Sequence, residues 1–331
     1  MVTSKLQSID LEEAIAAAVR APSVLNTQPW LFVAGDDVIE LRADLRRALP
    51  ALDPLGRALT ISCGAALLGL RLAVIHQRWE PVVRIFPHAD DPELLAELRI
   101  GGPRLVPTDV AAADEELYSA LPRRHSNRQP LRAGRPDDAV LGALATAAAV
   151  EGARLDVLDG VDTRQVIDVL QDADRAQRLD PAVRAEVARW THRPDDAGDG
   201  LRDADLGPRA SDPSAAVRDF AFGAYVEGRM TSRFERVPLL AVLSTRRDNR
   251  ADWLRAGQAL HRVLLAATVR DLRCSLLTQP LERQELGELL RPRRSAAGAP
   301  QVLLRIGYGP DAPKSRRRPV GEVLERRPTS T

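Results

Sequence analysis

The sequence predicts an α+β fold made of two related halves, and three observations carry that prediction. Its 331 residues leave room for roughly two domains at about 150 residues each. The order helix, strand, long helix of small residues, strand occurs twice. Local sequence repeats within that order: Gly64-Ala65-Ala66-Leu67 is echoed by Gly257-Gln258-Ala259-Leu260, and Leu98-Arg99-Ile100-Gly101 by Leu304-Arg305-Ile306-Gly307. Two matches in the same order and context suggest an internal duplication.

In the first half, Asp10 can cap a helix over Leu11 to Arg20, with Glu12 and Glu13 in the first turn, where negative charge suits the helix dipole. Pro22 and Pro29 deny backbone donors, so 21–30 is a loop leading into a strand over 31–33 and a second over 38–41. Beyond a Pro- and Arg-rich stretch, a long apolar helix is expected over Leu59 to His76, where Ser62, Gly64, Ala65, Ala66 and Gly69 allow close packing. Strands follow over 81–87 and 94–100. In the second half the expectations are a helix over 137–149, strands over 155–158 and 237–244, a long apolar helix over 256–272 and a strand over 302–306. The two long helices should pack together at the centre. The region 173–236 has no counterpart in the first half: a polar helix over 181–190, then a stretch over 193–214 too rich in Pro, Gly and Asp for regular structure, expected near the surface as a lid or a disordered segment.

Composition excludes several classes. With 44% hydrophobic and 28% charged residues the chain is neither disordered nor low in complexity. A net charge of +1 provides no field for nucleic acid or an anionic membrane. Cys63 and Cys274 are far apart and read as small core residues in a reducing compartment. Neither a signal peptide nor an 18-residue apolar run is read, so a cytoplasmic protein is expected. Dinucleotide and Walker glycine loops, a serine elbow and a zinc-spaced histidine pair are missing, and the five histidines are dispersed.

Three polar clusters remain. Arg20-Ala-Pro-Ser-Val-Leu-Asn-Thr-Gln-Pro-Trp30 sets Ser23, Asn26 and Gln28 between two prolines, suited to the polar edge of a planar heterocycle or to an Asx-type turn. Arg123, Arg124 and Arg128 flank Ser126, a forked grip on a phosphate or a solvated cluster, since all but two of the 47 cationic residues are arginine. Lys314-Ser-Arg-Arg-Arg-Pro319 is a basic tail.

Together with the GQALxxxLLAAT helix and the strand ending in GYG, these clusters resemble the FMN-dependent nitroreductase family, and within it the actinobacterial long-chain, Acg-like NAD(P)H nitroreductases with two nitroreductase-like halves in one chain. The resemblance spans nearly the whole chain and is weakest over 42–57 and 195–235. It implies a nitroreductase-like fold, with one half over 1–110, the other over 111–331 carrying a lid-like insertion at about 180–235, and a pseudo-dimer around the long helices. It also implies an FMN site. Arg124, Ser126 and Arg128 would contact the phosphate and the N1/O2 side, Pro22, Ser23 and Asn26 would come across from the first half with Arg20 and Gln28 nearby, and one or more of Lys314, Arg316, Arg317 and Arg318 would complete the phosphate site. The segment Leu276, Leu277, Thr278 and Gln279 lies where the family places backbone against the N5 and O4 edge.

The first half lacks an R-x-S-x-R element and a basic tail after Gly101, and the second half lacks P-S-x-x-N. Each half has kept what the other lost, so one flavin per chain is expected. The implied reaction passes hydride from NAD(P)H through FMN to a nitroaromatic or quinone-like acceptor, with no catalytic side chain required. The alternative is a flavin-sequestering protein whose lid covers FMN; a different FMN chemistry has no specific residue in its favour. The expected partner is a small-molecule electron acceptor, and the expected state a monomer or weak homodimer.

Overall fold

A computed structural model describes residues 5–212, 215–291 and 298–327. In chain order the elements are α1 (Leu11–Ala18), β1 (Trp30–Ala34), β2 (Val38–Ala43), α2 (Arg57–His76), β3 (Trp79–Ile85), β4 (Leu94–Pro103), α3 (Thr108–Ala120), α4 (Asp138–Val150), β5 (Arg154–Val157), α5 (Gly160–Leu179) and α6 (Pro181–Trp190). They continue as β6 (Arg209–Ala210), β7 (Thr231–Ser232), β8 (Leu239–Thr245), α7 (Arg250–Val269), β9 (Arg273–Leu276), a short turn of helix at Gln284–Gly287, β10 (Ala299–Gly307) and β11 (Leu324–Arg326). The fold is α+β. One sheet has the order β11-β1-β2-β4-β3 and a second the order β5-β8-β10-β9, while β6 and β7 form a small parallel pair. Strand pairing is antiparallel throughout both larger sheets except between β1 and β11, where Phe32 stands opposite Leu324 in a parallel ladder.

The centre is the crossing of α2 and α7. Helix α2 is apolar on every side, with buried residues from Leu59 to Val74, which marks a helix enclosed by protein. It is long and apolar enough to cross a membrane by length and composition, but 83% of its most apolar window is buried inside the fold. Small residues let the two backbones touch: a Cβ on Gly64 would lie 2.1 Å from the Leu254 carbonyl oxygen, and one on Gly257 2.0 Å from that of Ile61. At the start of α1 Asp10 accepts from the Glu13 N–H, and at the start of α7 Asn249 accepts from the Asp252 N–H, so side chains satisfy donors that a helix start leaves unpaired. Cys63 and Cys274 are buried and free.

The expected helices and strands are all present, within a few residues at their ends apart from α7, which begins six residues earlier than the sequence suggested. Helices α3 and α5, strands β6, β7, β9 and β11 and the helical turn at Gln284–Gly287 were not anticipated. Helices α3 and α5 are polar outside a narrow buried stripe, and β11 is too short to show a pattern. The region after α6 needs a correction. It has little regular structure over 193–212, but it is not confined to the surface: Leu201, Leu206, Phe220, Ala221 and Val226 are buried in an apolar cluster with Leu25, Leu49, Leu52, Val183 and Val187. That cluster brings the segment against the 21–30 loop.

Candidate functional site

The loop after α1 is bent tightly. Leu25, Asn26 and Gln28 have φ of 51°, 55° and 50°, a left-handed conformation that costs a non-glycine residue about 1–3 kcal/mol and persists only where the surroundings enforce it. The Ser23 hydroxyl oxygen accepts from the Gln28 N–H at 3.0 Å, holding Ser23 and Val24 at the turn's outer edge. Facing them, residues 124–128 run beside β9: Ser126 bridges Cys274, and the Asn127 N–H donates to the Cys274 carbonyl at 2.8 Å.

Between these segments lies a cavity of three adjoining lobes that share lining residues. Ser23 borders all three. The inner lobe is walled by Ala58 and Ile61 of α2, Leu260 of α7, Leu276, Leu281 and Val302, with Asp53, Arg57, Thr278, Glu282 and Gln301 as its polar members. The middle lobe is lined by Ser126, Arg128, residues 275–278 and, from the segment after α6, Leu206, Pro208, Val217, Arg218 and Phe220. The outer lobe is lined by Arg20, Asn26, Arg124, His125, Ser126, Arg128, Lys314, Ser315 and Arg317 among others.

The outer lobe is electrostatically one-sided. Four arginines and a lysine line it, and among the described residues no carboxylate does. Arg124 is 5% exposed; its Nη2 donates to the Arg20 carbonyl at 2.9 Å, while Nε and Nη1 are buried without a partner. Burial, with Arg317 and Arg20 close by, pushes its guanidinium down to about 9. Burial lowers Arg128 to about 10, and burial with Arg20 lowers Arg317 to about 10. Asp205, the carboxylate that most favours the charged forms of Arg128 and Arg317, is already engaged by Arg202 at 2.9 Å. Buried cations with unsatisfied donors and no counter-ion form a receptor for an anion.

The structure sorts the sequence-predicted residues into two groups. Arg20, Pro22, Ser23, Asn26, Arg124, Ser126, Arg128, Leu277, Thr278, Lys314 and Arg317 line the cavity. Gln28, Gln279, Arg316 and Arg318 do not. Gln28 is fully buried and spent on backbone, donating to the Gly198 carbonyl at 2.8 Å and accepting from the Arg318 N–H at 2.9 Å. Arg318 turns back to the Gln28 and Glu322 carbonyls, and Arg316 is exposed. Gln279 is buried behind the wall. The Leu277 N–H donates to the Leu303 carbonyl and is not available to a ligand.

Sequence reasoning missed Arg57, Arg218 and Phe220. Arg57 reaches from α2 to the Leu281 and Pro300 carbonyls at 2.8 and 2.7 Å, closing the floor of the inner lobe. Phe220 stands between two guanidinium groups, Arg128 at 5.1 Å and Arg218 at 4.9 Å from its ring centre. Arg218 also donates to Glu282 at 2.7 Å and to the Thr278 hydroxyl at 3.0 Å. Nothing in the local sequence separates these arginines from the other surface-type ones.

No family model matches the chain. It is 32% identical to a Mycobacterium tuberculosis protein named "Putative NAD(P)H nitroreductase acg", over 322 residues that cover 95% of each chain. A second protein of that organism, likewise named as an NAD(P)H nitroreductase, is 32% identical over 318 residues, 94% of this chain and 90% of its own. Among solved structures, an FMN-bound nitroreductase from Desulfitobacterium hafniense aligns at a TM-score of 0.38 and 14% identity over 62% of this chain and 94% of its own. One from Bacteroides fragilis aligns at 0.36 and 14% over 59% and 89%.

Proposed function

This chain belongs to the Acg-type nitroreductase family, and on that premise we propose that it is an FMN-dependent oxidoreductase holding one flavin in the three-lobed cavity. The outer lobe carries the reading, because Arg124, buried with two unpartnered guanidinium nitrogens, and the part-buried Arg128 and Arg317 line a pocket without a carboxylate and fit a phosphate monoester. When bound, FMN supplies the redox chemistry, taking hydride from NAD(P)H and giving it to a nitroaromatic or quinone-like acceptor. The chain's residues bind and orient it. Arg124, Arg317 and Lys314 hold the phosphate; Arg128, which borders both outer and middle lobes, lends positive charge to the adjoining polar edge of the ring system. Ser23 and Val24 on one side and Leu276 to Thr278 on the other flank the planar group, and the apolar wall of Ile61, Leu260 and Val302 keeps water from the inner lobe.

The site draws on both halves of a pseudo-dimer, with 20–26 from the first and 124–128, 275–278 and 314–317 from the second. The double variant Ser23→Ala, Asn26→Ala should therefore weaken FMN binding about as severely as Arg128→Ala, at about 1.5–3 kcal/mol per lost bond to a charged group. FMN titration followed by fluorescence quenching checks this, and a loss confined to one of the two variants argues against the shared site.

The sequestering alternative has an observation in its favour. The segment after α6 forms a lid-like wall of the middle lobe and is tied down by Arg218 to Thr278 and Glu282, and by Phe220 stacked on Arg128. Anaerobic mixing of the flavin-loaded protein with NADPH or NADH separates the readings. Rapid bleaching supports turnover, whereas a yellow protein that stays oxidised supports sequestration. A colourless protein that cannot be loaded with FMN overturns both.

A further inference from the structure

We propose that Gln28, although it touches no ligand cavity, is the positioning residue that aims the phosphate-binding arginine Arg317, an inference that rests on the flavin reading above. Its side chain joins three segments that are far apart in sequence. The amide nitrogen donates to the Gly198 carbonyl at 2.8 Å, and the amide oxygen accepts from the Arg318 N–H at 2.9 Å. The Gln28 carbonyl accepts from the Arg318 guanidinium at 3.3 Å. Residue 28 is fully buried and sits at a φ of 50°, so its side chain has one place to go and the backbone conformation is held against its own preference.

What this clip fixes is the peptide that follows Arg317. With the Arg318 N–H and guanidinium both held by residue 28, the Arg317 side chain leaves a fixed backbone, and its Nη1 reaches the Asn26 side-chain oxygen at 3.0 Å. The same Asn26 donates to the Gly200 and Arg316 carbonyls at 2.9 and 3.1 Å. The loop before β1, the base of the segment after α6 and the basic tail are thereby one hydrogen-bonded unit, and Arg317 is its projection into the outer lobe. A group that is merely part of the core would support ring and phosphate binding alike. A group that aims Arg317 affects the phosphate selectively.

The test is Gln28→Met, which keeps the side chain's length and removes all three of its hydrogen bonds, to the Asn26 and Gly198 carbonyls and from the Arg318 N–H, titrated with FMN and, separately, with riboflavin, the same ring system without the phosphate. The expected result is a loss of tenfold or more in FMN affinity with riboflavin affinity within twofold of the wild type. The effect should also be non-additive with Arg317→Gln, the double variant losing little more than Arg317→Gln alone. If Gln28→Met does not fold, Gln28→Glu, which retains an acceptor for the Arg318 N–H and lacks the donor to Gly198, goes through the same two titrations. Equal losses for FMN and riboflavin, or full additivity with Arg317→Gln, overturn the positioning role. A wild-type protein that binds neither flavin overturns the flavin reading itself, before any variant is made.

Discussion

Two arginine clusters in this molecule are built on opposite terms. In the outer lobe the buried Arg124 and the part-buried Arg128 and Arg317 line one pocket that no carboxylate among the described residues lines. Around the end of α4, Arg71 donates to Glu151 at 2.6 Å and Arg262 to the other oxygen of the same carboxylate at 2.8 Å, while Arg104 pairs with Asp114 and Glu80 at 2.7 and 2.6 Å. The two clusters follow helices that continue differently. Where α1 runs out into the 19–29 loop that borders the cavity, α4 runs out into Glu151 and directly on to β5. In one cluster the cations have no carboxylate lining their pocket; in the other the chain supplies its own counter-ions. In a sequence with so many arginines, the informative property of a cationic residue is therefore the absence of a partner, and only the folded structure shows it.

The comparison can be broken most forcefully at Glu151. Replacing it with alanine strands Arg71 and Arg262, whose side chains are 23% and 10% exposed, and should cost about 3–5 kcal/mol, as breaking buried pairs does. Urea unfolding measures this, and the folded fraction should still bind FMN. The opposite sign is expected for Arg124→Gln. Removing a buried, unpaired cation should leave the ligand-free protein at least as stable, while FMN affinity falls by about 1.5–3 kcal/mol. A clear loss of stability in this variant would contradict the account of the outer lobe.

Acidity sharpens the contrast further. With Arg124 near 9 in the free protein and raised when an anion binds, FMN affinity should be full near neutral pH, about halved at pH 9 and down about tenfold by pH 10. The Glu151 cluster fails at the other end of the scale. Burial works to raise the Glu151 carboxyl, but Arg71 and Arg262 outweigh it and hold the group below its usual value. Its stabilisation is therefore present above about pH 4.5 and is lost as pH falls through the lowered folded value. Denaturation midpoints from pH 7 to 3, in wild type and Glu151→Gln, should converge at the acid end.

Much of this architecture is legible in the chain. The long helices announce themselves by apolar residues on every side and by Gly64 and Gly257, and the strands that pair with them are short apolar runs between turn residues. Helix α5 is not legible because its buried stripe of Val166, Val169, Leu170 and Ala173 is diluted by charged and amide residues, some of them buried too. For the site, clustering in sequence draws attention to Ser23, Arg124, Ser126 and Arg128, all of which border the cavity. It misleads at Gln28 and Arg318, which have the right chemistry in the right place and spend it on each other. It is silent on Arg218 and Phe220, since their meaning comes from Arg128, Thr278 and Glu282, brought together only by the fold.

The parallel pairing of β11 with β1 has a consequence for biosynthesis. The first sheet holds strands from residues 30–103, yet its outermost strand comes from residues 324–326. A nascent chain can assemble most of this sheet early, but the free edge of β1 stays open until translation has passed residue 326, and an open edge invites pairing with another chain. The tail that brings Arg317 to the cavity is the tether of that strand. Delivery of Arg317 to the cavity and the sealing of the first sheet are thus late events in the life of the same polypeptide, and a ribosome that stops short yields a product with an incomplete cavity and an open sheet edge.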